Sequence, residues 1–274
     1  MSTEIYYFSG TGNSLSVARD IAETTNGKLI PVAPLVKQET ISTNAEVIGI
    51  VFPVHDFKPP DIILKFIRRL SEIDSKYLFA VGTYGVMPFN AMKILDKEIR
   101  DCRGTLSLGF VVQMPHNAIG YRTISIDEQN KMFRNWKKKL EVITEYVNSR
   151  KVGILETRSI LFHFVFSGLV FKVLPSLLAL AWHVTTKGWK SLAFISDEKC
   201  DGCGICMRIC PVDNIEMIDN RPSWSNHCAM CFACLQWCPK ESIQAGSITV
   251  NMKSYHHPNV KISDIMKQKE FVSY

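Results

Sequence analysis

The sequence predicts two units of different class: an α/β domain on a doubly wound, parallel five-stranded sheet, then a small α+β domain rich in cysteine. Three observations carry this. From Ile5 to about Asn148 short β-rich runs alternate with longer amphipathic segments, eight of the nine cysteines fall between positions 200 and 238, and an apolar stretch lies between the two regions. The length of 274 residues agrees, at roughly 150 residues per domain. A hydrophobic share of 46%, a charged share of 21% and a mean hydropathy of +0.04 exclude wholesale disorder and a polytopic membrane protein. Met1 to Phe8 show no basic start and no apolar run of signal length, so a cytoplasmic location is expected. The net charge of +6, partly gathered in Lys131, Arg134, Lys137, Lys138, Lys139, Arg150 and Lys151, is too mild to imply nucleic acid, and no such partner is expected.

The first candidate strand, Ile5 to Phe8, runs into Ser9-Gly10-Thr11-Gly12-Asn13-Ser14 and a helix over Asn13 to Thr25. Small residues let backbone approach a phosphate closely. The hydroxyls of Ser9, Thr11 and Ser14 can donate, and the helix N-terminus adds free N–H groups and a favourable dipole. No lysine of the G-K-[ST] type follows and the spacing is not G-x-G-x-x-G, which argues against a nucleoside triphosphate or a dinucleotide. Further strands are expected at Lys28 to Val32, Glu46 to Val51, Tyr77 to Gly82 and Leu106 to Gln113, alternating with helices at Pro60 to Leu70, Phe89 to Arg100 and Asp127 to Asn148. Ligands of such sheets sit beyond the carboxyl ends of the strands. Two loops lie there: Pro53-Val54-His55-Asp56-Phe57 and Thr83-Tyr84-Gly85-Val86-Met87-Pro88. Phe57 and Tyr84 offer apolar faces to a planar ring, whose polar edge backbone groups could bond. His55 and His116 are candidates to line the pocket or handle protons, with a structural role the plainer expectation.

In the helix at 127 to 148, Phe133, Trp136, Leu140, Ile143 and Val147 form one apolar stripe, with the lysines on the solvent side. The stretch from Ile160 to Trp182 is long enough to span a bilayer, but Lys172 and Pro175 near its middle are costly in lipid. A helical pair broken at Pro175 is expected, buried or between domains, with membrane-surface contact or a dimer surface as the alternative. Cys102, outside the cysteine-rich region, reads as a small buried residue.

The remaining cysteines fall into Cys200-x2-Cys203-x2-Cys206-x3-Cys210-Pro211 and Cys228-x2-Cys231-x2-Cys234-x3-Cys238-Pro239, each position recurring 28 residues later. Ile215 and Ile243 share that offset, so the unit is duplicated beyond its thiols. Three cysteines at two-residue gaps let a tight loop wrap three corners of a cubane, leaving the fourth to come from elsewhere. Structural zinc uses separated C-x2-C pairs and needs neither the third cysteine nor the following C-P. Two [4Fe–4S] clusters are therefore expected. In the bacterial ferredoxin pattern the fourth cysteine of each run ligates the other cluster. That pattern gives Cys200, Cys203, Cys206 and Cys238 to one cluster and Cys228, Cys231, Cys234 and Cys210 to the second. Trp189, Trp224 and Trp237 read as packing residues.

With these residues in view, the first 150 or so positions resemble the flavodoxin family, whose phosphate loop has the form of Ser9 to Ser14, and positions 191 to 248 resemble a bacterial two-cluster ferredoxin. Together they are similar to the fusion flavoproteins of anaerobic microbes. The resemblance implies FMN, held non-covalently at Ser9, Gly10, Thr11, Gly12, Asn13 and Ser14, with Pro53, Val54, His55 and Phe57 and Thr83, Tyr84 and Gly85 around the isoalloxazine. It also implies electron transfer between the clusters and FMN, with a redox protein as donor or acceptor and a small-molecule acceptor at the flavin, or else a non-enzymatic carrier. The pI near 8.8 departs from the acidic flavodoxin surface. The expected organisation is a flavodoxin-like domain at 1–150, an apolar helical linker at 151–190, a two-cluster domain at 191–250 and a polar tail at 251–274.

Overall fold

The apolar runs of the first domain form β1 (Thr3–Tyr7), β2 (Lys28–Pro31), β3 (Val47–Pro53), β4 (Tyr77–Tyr84), β5 (Leu106–Gln113) and β6 (Ile154–Leu155) in a computed structural model that describes residues 2–116, 124–157, 193–246, 249 and 253–270. They pair in the order β2-β1-β3-β4-β5-β6, every pairing parallel. The first five follow the flavodoxin order. The sixth, two residues long, lies beyond the five that were expected, in a segment whose alternation is too short to read.

Val47 to Phe52 of β3 are all buried, as a strand covered on both faces must be. The cover comes from α1 (Asn13–Thr24), α3 (Asp61–Arg69), α4 (Ala91–Asp101) and α5 (Ile126–Asn148), with a four-residue helix α2 (Val32–Leu35) after β2. α1 packs beside α5 and α3 beside α4. Ser125 opens α5 through a reciprocal cap with Glu128, which satisfies two end groups at once. Trp136, Leu140, Ile143 and Val147 are buried, while Lys131, Arg134, Lys137 and Lys138 are exposed. Cys102 ends α4, half-buried, and burial pushes its thiol up.

The cysteine-rich unit has its own small core, including Phe194, Ile215, Leu235, Ile243 and Ala245. β7 (Phe194–Ser196) pairs antiparallel with β10 (Ile243–Ala245), and β8 (Ile215–Ile218) with β9 (Arg221–Trp224). The repeat is visible in space. The short helix α6 (Ile205–Ile209) recurs as α7 (Ala233–Gln236), and Ile215 and Ile243 are each 4% exposed.

Residues 253–270, expected as a polar tail, return to the first domain. A short helix, α8 (Ile262–Met266), lies in this segment, and Val260 and Ile265 join the core of the parallel sheet. The expectations for Ile160 to Trp182 and for Trp189 fall outside the described residues. Among the described residues no helix is long and apolar enough to cross a membrane.

Candidate functional site

The register places the carboxyl ends of the strands together: Tyr7 lies opposite Val51, Pro53 opposite Thr83, and Tyr84 opposite Gln113. The chain therefore leaves β1, β3, β4 and β5 on one rim of the sheet. From β1 it enters the Ser9–Ser14 loop. Gly12 adopts φ 95°, a left-handed conformation that suits glycine, and its N–H donates to Ser9 Oγ at 3.0 Å. Ser14 Oγ lies 2.8 Å from Thr83 Oγ1, tying the loop to β4. Ser9, Thr11, Asn13 and Ser14 are all buried. Among the described residues the N–H groups of Gly10, Thr11, Asn13 and Ser14 have no acceptor. Buried donors gathered at the start of a twelve-residue helix are suited to an anion.

The far side of this loop is held by the C-terminal segment. The Gln268 amide accepts from Ser9 N and donates to Ser9 O, both at 3.0 Å. His257 N donates to Thr11 O, and Tyr255 Oη to Asn13 Oδ1, each at 2.8 Å. Asn13 Nδ2 in turn donates to Pro115 O. None of this is visible in sequence, because a polar segment carries no periodic signal and its partners lie some 240 residues away.

Beside the loop opens a cavity of about 290 Å³, of the size of small ligand sites. Of the residues predicted for the phosphate and ring loops, Ser9, Gly10, Thr11, Asn13, Ser14, Pro53, Val54, His55, Phe57, Thr83, Tyr84 and Gly85 line it. Gly12 does not, because its α-carbon faces Val260 and His257. His116 lines it too, with Met114, Pro115 and Phe89. At the mouth Phe57 meets Phe89 edge-on at 4.2 Å between centroids. Burial lowers the His55 imidazole to about 4, so it is neutral at pH 7. The wall that sequence reasoning missed is Met230, Cys231 and Phe232. It comes from the other unit, and the hint in the sequence is that Met230 and Phe232 stand where the first copy has Gly202 and Gly204.

The thiols collect as two sets. Cys200, Cys203, Cys206 and Cys238 border one small space, and Cys210, Cys228, Cys231 and Cys234 another. All nine cysteines are free, and among the described residues no three His, Cys, Asp or Glu are gathered to hold a single ion. Burial pushes the Cys206 thiol up to about 11 and Cys231 to about 12, and raises Cys234 well above its ordinary value. Thiols so desolvated ionise only against a strong positive charge such as bound iron. A buried donor without an acceptor, Asn214 Nδ2, belongs to a residue lining the second space, and the Trp224 side chain bonds toward Cys234; the sulfurs of a cluster would accept from both. Backbone N–H groups of Asn214 and Ser242 reach Cys210 Sγ and Cys238 Sγ at 3.3 and 3.4 Å, again 28 residues apart. The donor sets and their surroundings fit two cubanes.

The two sites adjoin. Trp237 Nε1 donates to Gly10 O at 2.9 Å, and a Cβ on Gly10 would collide with the Cys231 carbonyl oxygen. Trp237 also stacks on His256, 4.2 Å between centroids.

Residues 192–239 match the family model described as the 4Fe-4S dicluster domain, which supports two [4Fe–4S] clusters and a role in electron transfer. No curated protein matches the chain. Similar solved structures include a putative flavoprotein from Bacteroides uniformis, 22% identical over 41% of this chain and 90% of that one with a TM-score of 0.34. A flavodoxin from Megasphaera elsdenii is 20% identical over 50% and 98%, with a TM-score of 0.33, and an archaeal flavodoxin 17% identical over 54% and 99%, with a TM-score of 0.37. The fold of the first domain rests on its own strand order.

Proposed function

We propose that this chain is an electron-transfer flavo-iron–sulfur protein that holds FMN and two [4Fe–4S] clusters within one unit and reduces an acceptor at the flavin. The observation that carries the reading is the shared wall: one cavity is bordered on one side by the phosphate-type loop Ser9–Ser14 and on the other by Cys231 and its neighbours. Clusters supply one-electron transfer and FMN connects it to two-electron chemistry. The rest is the work of the chain.

In this reading Gly10, Thr11, Asn13 and Ser14 direct their open N–H groups to the FMN phosphate. Val54, Phe57 and Tyr84 pack on the ring, and neutral His55 bounds the pocket without placing a charge in it. Cys200, Cys203, Cys206 and Cys238 hold one cluster and Cys228, Cys231, Cys234 and Cys210 the other. Val86 and Met87, each 39% exposed, form an apolar rim where the acceptor approaches. That exposed rim also favours a second reading, in which the acceptor is a redox protein and the chain is a carrier without turnover of small molecules.

The test is an assay of iron, acid-labile sulfide and released flavin on anaerobically purified protein. About eight irons with one FMN per chain is the expected result. Iron without flavin, even after FMN is added, overturns the flavin assignment. Turnover with small acceptors separates the enzyme from the carrier.

A further inference from the structure

The duplicated cysteine unit repeats its backbone more faithfully than its side chains. Gly202 at φ 75° corresponds to Met230 at φ 51°, Gly204 at φ 68° to Phe232 at φ 56°, and Asp213 at φ 52° to Glu241 at φ 48°. The left-handed geometry is thus built into the loop in both copies. In the first copy two of the three positions are glycine, the residue that takes such angles without steric cost. In the second copy those two carry large side chains, in a region of backbone space where a bulky residue is an outlier. Strain of this kind persists only where the surroundings hold it, and it clusters at functional sites.

What differs is what the positions face. A Cβ on Gly204 would have nothing within 4 Å, so a side chain there would meet open space. Met230 and Phe232 instead line the cavity beside the phosphate loop, flanking Cys231. The close approach of Gly10 to the Cys231 carbonyl and the Trp237–Gly10 hydrogen bond pack this loop against Ser9–Ser14. Phe232 also contacts Phe194, 5.9 Å between centroids, and so packs against the small core of the cysteine-rich unit.

From this asymmetry we infer that the flavin site is composite: Met230 and Phe232, carried by the second cysteine loop, are positioning residues for the flavin ring. The inference rests on the FMN reading above and deepens it, because it makes flavin affinity depend on two side chains of the second cysteine loop. A ring held only by loops 53–57 and 83–85 would lack the wall made by Met230 and Phe232.

The test uses the full-length holoprotein with FMN removed, titrated with FMN and followed by the quenching of flavin fluorescence, iron being counted in every sample. The double variant Met230→Gly/Phe232→Gly restores the residues of the first repeat and relieves the backbone, so iron content stays at the wild-type level. FMN affinity is expected to fall about ten-fold or more, as for the loss of two apolar ring contacts. Phe232→Asn, which tolerates the left-handed angle, checks that the effect follows the lost side chain and not altered folding; with Met230 kept, an affinity loss of about three-fold is expected. Equal FMN affinity in wild type and variants, with wild type binding FMN, overturns the composite site and leaves the FMN reading standing. Wild-type protein that binds no FMN overturns both.

Discussion

Cys203 is exposed, whereas Cys231, its counterpart 28 residues on, is 8% exposed and sits against the Ser9–Ser14 loop. Two copies of one cysteine run thus end up in different electrostatic surroundings, one near solvent and one between a helix N-terminus and an apolar cavity. The thiol sets are equivalent in spacing, and the difference is made by what each copy packs on. Solvent exposure and hydrogen bonds to sulfur tune cluster potentials, so the second site, with Asn214 Nδ2 and Trp224 Nε1 lining it, is expected to differ from the first. The same asymmetry predicts which mutations reach the cavity.

The largest contrast is between Cys203→Ala and Cys231→Ala. Each removes one thiol from a four-thiol set, and iron should fall by about four of roughly eight per chain in either variant. Only Cys231→Ala should also empty the flavin site, since its loop is a wall of the cavity. Iron and flavin assayed on the same preparations decide it, and equal flavin retention in the two variants would remove the distinction between the copies.

A smaller effect concerns the C-terminal segment, which braces the Ser9–Ser14 loop and also packs on the second copy through His256 and Trp237. His257, 4% exposed, has its imidazole pushed down by burial to about 4 from an ordinary 6.5. The unfolded chain therefore binds the proton more readily, and the neutral ring contributes stability that is full above about pH 6.5 and lost as pH falls through about 4. The loss is at most about 3 kcal/mol. His257→Gln should flatten this part of the acid profile, read as the difference in denaturation midpoint between wild type and variant at pH 7 and pH 5. Parallel profiles would show that the segment is not docked through His257.

Gln268→Leu removes both hydrogen bonds to Ser9 and leaves two buried backbone groups unpaired. A destabilisation of about 1–3 kcal/mol follows, together with weaker flavin retention if the loop relaxes. Denaturant unfolding and FMN titration report the two separately. Unchanged stability would mean that the segment lies loosely on the loop, and the contrast between the copies would then owe nothing to it.

What could be read from sequence follows from periodicity. Strands β1 to β5 announce themselves because a parallel sheet buried on both faces needs near-continuous apolar runs such as Val47 to Phe52, and the cysteine repeat because ligand spacing is fixed by the cluster it wraps. The Ser9–Ser14 loop stands out as a phosphate candidate because small residues and hydroxyls directly before a helix suit an anion. Strand β6 escaped because two residues carry no pattern. The bracing by Tyr255, His257 and Gln268 escaped because single polar contacts have no period, and Met230 and Phe232 because their importance lies in conformation: the repeat shows them in place of glycine, but only the φ angles show that the left-handed backbone is kept.

The smallest test uses the third repeated left-handed position. Asp213 forms ion pairs with Lys37 of the first domain at 2.7 Å and with Lys269 of the C-terminal segment at 2.6 Å, and these partners hold its carboxyl below the usual range. Glu241, the equivalent residue in the second copy, is in no ion pair among the described residues. Both Asp213 and its partner Lys37 are substantially exposed, and such pairs contribute about 0–1 kcal/mol, less in high salt. Asp213→Asn should therefore destabilise by about 0.5–1 kcal/mol at low ionic strength and Glu241→Gln by less than about 0.5 kcal/mol, read as denaturation midpoints with and without added salt. The asymmetry here runs opposite to that at Met230 and Phe232. The first copy uses its third special position to fasten itself to the parallel-sheet domain by charge, while the second copy is fastened by the Trp237–Gly10 bond and the close packing of Cys231. A larger loss for Glu241→Gln than for Asp213→Asn would invert that division and place the electrostatic attachment on the cavity side.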